Sequence, residues 1–188
     1  SRIEGETVLV VVGSEASTAL DVAEAAQRTF TEAALDQSAS PGDARPSILF
    51  CCPGSILEIT SGAAISLRTM MAALVRRGFR AVAVQATIFD SPQGGQRLME
   101  AGTTQTDKPI WRAVVDGVEH LIVKTGSTTR RFMTVQEEET FYNFFKGELQ
   151  HRKPDIVFLW GGLLLERAIM RDARDAGIPV AFYLVNGG

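Results

Sequence analysis

The chain has 188 residues, of which 45% are hydrophobic and 22% are charged, as in an ordinary globular domain. The net charge of -3 leaves no excess of lysine and arginine to neutralise a phosphate backbone, so we exclude nucleic acid as the main partner. No apolar run reaches the roughly 20 residues that span a bilayer, and residues 1–6 lack a signal-peptide pattern. We expect no transmembrane segment.

The cysteines and histidines give no metal site. Cys51 and Cys52 are neighbours in an apolar run, and neighbours on a strand point to opposite faces, so they are poorly placed to bridge each other. Buried thiols without a disulfide framework suit a reducing compartment, which predicts a cytoplasmic location. His120 and His151 stand alone, and no C-x-x-C or H-E-x-x-H pattern is present.

Short apolar runs alternate along the chain with longer segments of helical spacing. The predicted strands are residues 7–12, 47–52, 81–86, 111–115, 118–123, 156–160 and 180–185, and the predicted helices are residues 17–35, 63–77, 135–151 and 163–176. This alternation predicts an α/β fold: a Rossmann-like, doubly wound, mainly parallel sheet with helices on both faces. Asp116-Gly117 lies between two of the runs and predicts one inserted hairpin.

Residues 36–46 carry serine, glycine, aspartate and two prolines, which is typical of a linker. We therefore divide the chain into residues 1–45, a strand–helix extension with its linker, and residues 46–188, the main domain. The sequence lacks an initiator methionine and stops three residues past the apolar run 180–185. We expect it to be a piece of a longer protein.

In open parallel sheets, ligands bind outside the carboxyl ends of the strands. The first loop at that edge, residues 53–62, leads into a helix N-terminus, where free N–H groups favour an anion. Ser61 is a candidate cap, and Gly62 would let a diphosphate approach the backbone. The pattern is neither G-x-G-x-x-G nor a P-loop, and a plain capped loop fits it equally well.

Other candidates follow later strands. Gly161 and Gly162 permit close backbone approach by a ligand or form a bare tight turn, and Trp160 lines a cleft or, as we favour, packs under a helix. Asn186 is a polar group at a strand end or simply a turn residue. Asp90 follows the third strand, where an acidic residue can bind a ribose, although its register is poor.

No catalytic set can be assembled from these residues. His120 falls in the predicted hairpin and His151 in the last turn of a helix, so neither lies at a strand end beside a nucleophile and an acid. The catalytic residues therefore stay unassigned.

Residues 153–162 (KPDIVFLWGG), a helix, and then residues 176–182 (AGIPVAF) resemble a signature of retaining GT-B glycosyltransferases of the sucrose-synthase-like and mannosyltransferase-like family. Residues 61–64 with residues 74–84, and the hairpin at residues 115–119, are similar to that family's glycine opening and hairpin. The resemblance covers residues 47–188 and concerns the N-terminal domain.

The resemblance implies the N-terminal half of a nucleotide-sugar-dependent glycosyltransferase that retains anomeric configuration. Ser61 and Gly62 would lie near the donor diphosphate. The cleft for a carbohydrate or glycan acceptor would comprise Asp90, Trp160, Gly161, Gly162 and Asn186. The donor substrate would bind the protein's own C-terminal domain, which this sequence lacks, so the isolated chain would be inactive. No cofactor is implied.

One departure from the family pattern and two alternatives remain. The family often has a histidine where this sequence has Val185 and Asn186. A non-catalytic ligand-binding or regulatory α/β domain is one alternative, although the clustered aspartates and the lysine of a receiver domain are missing. A GT-B sugar-nucleotide epimerase is another, and it needs more carboxylates and histidines at strand ends than the sequence offers.

Overall fold

A computed structural model describes residues 8–13, 45–59, 61–89, 109–126, 134–160 and 166–185. These ranges contain seven strands and three helices. In chain order they are β1 (Val8–Gly13), β2 (Ser47–Cys52), α1 (Gly62–Arg76), β3 (Arg80–Ala86), β4 (Ile110–Val115), β5 (Val118–Val123), α2 (Val135–Arg152), β6 (Ile156–Trp160), α3 (Glu166–Asp175) and β7 (Val180–Val185).

The strands form one sheet in the order β1-β7-β6-β2-β3-β5-β4. All neighbours run parallel except β4 and β5, which pair antiparallel as the predicted hairpin. The chain leaves β2 toward β3 on one side and later fills β6 on the other side. The carboxyl ends of β2 and β6 therefore flank the switch point, where open α/β sheets place their ligands.

Helices cover both faces of the sheet, as the sequence predicts. On one face, α1 buries Leu67, Met70, Met71 and Leu74 against residues that include Phe50 and Phe158. On the other face, α2 and α3 bury an apolar set against β2, β3, β5 and β6: Phe141, Phe145, Leu149, Ile169 and Ala173. The fold prediction is confirmed.

The alternation of side chains along β2 explains why this strand is apolar from Ile48 onward. Phe50 and Cys52 belong to the α1 face, whereas Leu49 and Cys51 belong to the face covered by α2 and α3. Both cysteines are buried, and neither forms a disulfide bond. A strand buried on both faces is typical of the interior of a parallel sheet.

The β4–β5 turn requires backbone conformations that few residues adopt. Asp116 has φ 52° and Gly117 has φ 78°, and two successive residues with positive φ define the tight hairpin turn that Asp-Gly favours. A Cβ atom at Gly117 would lie 2.7 Å from Cγ1 of Val75. Glycine at this position therefore serves both the turn and the packing of α1.

The strand part of the predicted extension lies in the same sheet, because β1 pairs in parallel with β7 from Val8–Val180 to Gly13–Val185. The predicted helix at residues 17–35 lies outside the described residues. The division of the chain at residue 45 stays a prediction. In the described ranges, no helix is long and apolar enough to cross a membrane.

Candidate functional site

The carboxyl edge of the sheet brings together three described segments. They are the loop between β2 and α1 (residues 53–61, of which residue 60 is not described), residues 87–89 after β3, and residues 124–126 after β5. The backbone N–H of Ser55 donates to Ile88 O at 2.7 Å, which fixes the first loop to the second segment. The loop that precedes α1 is therefore held by the segment that follows β3.

The side chain of Gln85 also holds the β2–α1 loop. Its Oε1 accepts hydrogen bonds from Ile56 N at 2.7 Å and from Ser55 Oγ at 3.1 Å. The side chain is fully buried on β3, so these bonds replace solvent for groups that burial would otherwise leave unpaired. The β2–α1 loop is thus positioned by a side chain in a neighbouring strand.

The Gln85 amide also fixes the protonation of His120. Because Oε1 is the acceptor for the loop, Nε2 donates to His120 Nδ1 at 2.7 Å, which leaves the imidazole proton on Nε2. Burial lowers the pKa of His120 to about 4, and Arg68 on α1 lowers it further, against the Val115 backbone and Asp116, which favour the charged form. His120 is therefore a neutral, buried structural residue at neutral pH.

Two hydroxyl groups join the ends of β3 and β5. Thr125 N donates to Thr87 Oγ1 at 2.9 Å, and the two Oγ1 atoms are also 2.9 Å apart. Thr87 is buried. This pair closes the carboxyl edge between the two strands and leads directly into the segment before α2.

The N-terminus of α1 faces this edge and carries no negative charge of its own. Ser61 is the N-cap, and its Oγ accepts from Ala64 N at 3.4 Å. The N–H groups of Gly62 and Ala63 precede the first helical hydrogen bonds. The first turn has no acidic residue, and a Cβ atom built on Gly62 would meet no atom of the described residues within 4 Å. This helix end has room for an anion.

The N-terminus of α2, by contrast, holds a carboxylate from its own chain. Thr134 and Glu137 form a reciprocal capping box. Glu137 Oε2 accepts from Thr134 N at 2.9 Å, and Oε1 accepts from Gly126 N at 2.7 Å. A carboxylate of the chain itself already lies at this helix end, so we place no ligand there.

The structure describes three of the predicted site residues, and the other four lie outside the described residues. Ser61 caps α1 and Gly62 is its first residue, as predicted. Trp160 ends β6, is partly buried and packs against the α1-side core, which agrees with the packing role we favoured. Asp90, Gly161, Gly162 and Asn186 lie outside the described residues, so their roles stay predictions.

Sequence reasoning missed Gln85 and Trp111. Gln85 was read only as part of an apolar run, although a polar residue in a buried strand signals a buried hydrogen-bond network. Trp111 lies at 8% exposure on β4, and its Nε1 has no hydrogen-bond partner among the described residues. His120 was read as an isolated histidine, although it pairs with Gln85 across 35 positions of sequence.

Two surface grooves lie toward the opposite, amino edge of the sheet, with volumes of about 760 and 590 Å³. Polar side chains in both are already engaged within the chain. Asp172 in the larger groove bonds Tyr142 and lies 3.4 Å from Lys146 Nζ, and Arg152 in the smaller one pairs with Glu119 and Glu148. We favour the carboxyl edge, because there the helix end is left unmatched.

Among the described residues, no group of three potential metal ligands comes together. No family model matches the chain, and no curated protein matches its sequence. Among solved structures, the chain is similar to the macrodomain of Thermus aquaticus DarG, with a TM-score of 0.36 and 12% sequence identity over 96% of this chain and 99% of that one.

The glycosyltransferase prediction is wrong, both as a family and as an enzyme activity. No glycosyltransferase family model matches, and the solved structure that the chain is similar to is a macrodomain instead of a GT-B half.

The physical reason for the error is visible in the residues that carried the resemblance. Lys153 ends α2 in the left-handed region with φ 45°, and Gly177 turns the chain after α3 with φ 70°. Asp155 Oδ2 accepts from Ser47 N at 2.7 Å and from Ser47 Oγ at 2.8 Å, which joins the starts of β2 and β6. Any crossover of this kind needs such residues, whatever its function.

Proposed function

We propose that this chain is a ligand-binding α/β domain that holds a phosphate-bearing ligand at the carboxyl edge of its sheet. The observation that carries the proposal is the N-terminus of α1, where Ser61 caps the helix, Gly62 leaves open space and the first turn has no acid. Unpaired N–H groups and the positive end of the helix dipole stabilise an anion.

The order of the β2–α1 loop supports the proposal. Three hydrogen bonds fix its first residues: Ser55 N to Ile88 O, Ile56 N to Gln85 Oε1, and Ser55 Oγ to Gln85 Oε1. A loop that is ordered before binding loses less conformational entropy when the ligand arrives. The network therefore favours binding at the helix end that follows.

Binding is favoured over catalysis by the placement of the two histidines. His120 is fully buried and neutral, and His151 is exposed in the last turn of α2, far along the chain from the carboxyl edge. Neither supplies a general base at the α1 N-terminus. We propose that the remaining wall of the ligand site comprises Asp90, Gly161, Gly162 and Asn186, and that the protein is located in the cytoplasm.

The test is a titration of the ¹⁵N-labelled chain with inorganic phosphate and with pyrophosphate, followed by amide chemical shifts. We expect the amides of Gly62 and Ala63 to move in a saturable way. The amides of Gln136 and Glu137 at the capped α2 N-terminus are the internal control and should stay in place. Equal movement at both helix ends, or none at either, would contradict a specific site at α1.

A further inference from the structure

Trp111 leaves a buried hydrogen-bond donor without an acceptor. Its side chain is 8% exposed, and no described atom accepts from Nε1. Tryptophan N–H groups that are buried usually find a partner, because an unmade hydrogen bond in a dry environment is costly. An oxygen that the described residues do not supply is therefore expected beside this indole.

The strand register places the indole at the carboxyl edge. Trp111 lies opposite Ile122 on β5, and it packs in a small cluster with Leu57 of the β2–α1 loop, Ile122 and Phe89, which follows β3. Leu57 precedes the cap Ser61 by four residues, a span of at most about 14 Å of extended chain. The indole and the α1 N-terminus therefore belong to one region.

A positive charge accompanies the indole. Lys124 Nζ lies 5.7 Å from the centre of the Trp111 ring, in the segment that leaves β5 at the same edge. A cation over an aromatic face is held there by the ring quadrupole. An N–H donor with an ammonium group beside it suits an anionic oxygen better than a neutral one.

The other buried donor without a partner, His120 Nε2, belongs to a different place. Its ring is fixed through Nδ1 to Gln85, which stands two positions closer to the carboxyl edge, and Val115 and Asp116 at the far end of the hairpin act on its pKa. Its free nitrogen is thus at the end of the ring away from that edge. It takes no part in the site described here.

We infer that Trp111 Nε1 donates to a second anionic group of the ligand, with Lys124 as its counter-charge. This inference rests on the proposed function and narrows its ligand class. The ligand would be a small molecule with a phosphate at one end and a further oxyanion, either phosphate or carboxylate, at the other end. The β2–α1 loop lies between the two anchors.

Three hexose derivatives test this in one matched series. Glucose 6-phosphate has one anionic end, glucose 1,6-bisphosphate has two phosphates, and 6-phosphogluconate has a phosphate and a carboxylate. Each is titrated into the ¹⁵N-labelled chain, with the Gly62 amide reporting the α1 end and the Trp111 indole N–H reporting the second anchor. The chain has two tryptophans, and a spectrum of Trp160→Phe assigns the indole signals.

We expect at least one two-ended compound to move both reporters with a single dissociation constant, at least tenfold below that of glucose 6-phosphate. The two-ended compound that binds more tightly shows whether the second anionic group of the ligand is a phosphate or a carboxylate. Trp111→Phe and Lys124→Gln should each reduce that preference to less than threefold while the Gly62 shift persists. Lys146→Gln, which removes the same charge from α2, should leave the preference intact.

The outcomes separate the inference from the proposed function. If the Gly62 amide moves equally well with all three compounds and the indole stays in place, the second anchor is wrong and the α1 site stands. A strong exchange contact between the indole N–H and water, unchanged by every compound, would also overturn the inference. If neither reporter moves, the proposed function fails, and this inference with it.

Discussion

Two of the helices that start at the carboxyl edge of the sheet begin in opposite ways. At α2, Glu137 accepts from Thr134 N and from Gly126 N, so one carboxylate closes the helix end. At α1, Ser61 supplies one side-chain acceptor, the first turn has no acid, and Gly62 leaves open space. Among the described residues, a carboxylate caps the N-terminus of α2, whereas none lies in the first turn of α1.

The two helix N-termini also differ in the residues that support them. The α2 cap is local, because Thr134 and Glu137 are three residues apart. The α1 loop depends on Gln85 in another strand and, through it, on His120. A helix end supported by a distant network can be shaped without using its own donors, and that is what a binding site needs.

Gln85→Leu gives the largest expected effect. The change removes the acceptor of Ile56 N and the donor to His120 Nδ1 and leaves both buried, so the free energy of unfolding should fall by about 3 kcal/mol. Urea denaturation measures it. Gln150→Leu on the exposed face of α2 is the matched control, with an expected change within about 0.5 kcal/mol. Equal effects of the two substitutions would contradict a special role of the Gln85 hydrogen-bond network in stability.

The next effect is a loss of folding stability on acidification, through His120, which supports the α1 loop by way of Gln85. The pKa of His120 is lowered by burial from 6.5 to about 4, so between these values the unfolded chain binds more protons than the folded one. Stability is therefore retained above pH 6.5 and lost as the pH falls toward 4, by up to about 1.4 kcal/mol per pH unit. Denaturant midpoints at several pH values measure this, and His120→Gln should flatten the slope whereas His151→Gln should keep it.

Glu137→Ala opens the α2 end. The loss of both carboxylate bonds should lower the free energy of unfolding by about 1–2 kcal/mol. Glu139→Ala, at an exposed position two residues further along the helix, removes the same charge without a capping bond and should change it by less than about 0.5 kcal/mol. Thermal unfolding of the two variants compares them directly, and a larger effect of Glu139→Ala would show that charge alone matters.

Ala63→Glu should make α1 resemble α2. A carboxylate in the first turn would stabilise the helix by about 0.3–1 kcal/mol and compete with a bound anion, which we expect to weaken pyrophosphate binding tenfold or more, about 1.4 kcal/mol. Isothermal titration with pyrophosphate tests this. Thr69→Glu, exposed two turns along the same helix, carries the same charge and should alter the affinity less than threefold. Similar losses in both variants would indicate a diffuse field instead of a site.

Much of the fold was predictable because its signals are local. The boundaries of α1, α2 and the hairpin follow from residues within one turn of each end, such as Gly78 with φ 94° after α1 and Asp116-Gly117 between β4 and β5. The parallel order follows from the alternation of apolar runs and helices. Ser61 and Gly62 were identified by the same local reasoning.

What the sequence did not reveal depends on contacts between distant residues. Gln85 and His120 are 35 positions apart and meet only when β3 pairs with β5. Asp155 and Ser47 are 108 positions apart, and their side chains form a hydrogen bond. Asp155 therefore has a structural role in the fold, although it is also one of the residues that resemble the glycosyltransferase signature. Local motifs therefore led to the correct fold and to the wrong family.

The bond between Ser47 and Asp155 also has a consequence for the order of folding. The pairing of β2 with β6 closes a loop of 108 residues, whereas β4 and β5 pair across a two-residue turn, a difference of about 3 kcal/mol in closure entropy. The centre of the sheet should therefore form late and its hairpin edge early. Pulse-labelled hydrogen exchange should show protection of Leu121 before Val157, so the strands that flank the switch point become ordered only after the strands at the edge.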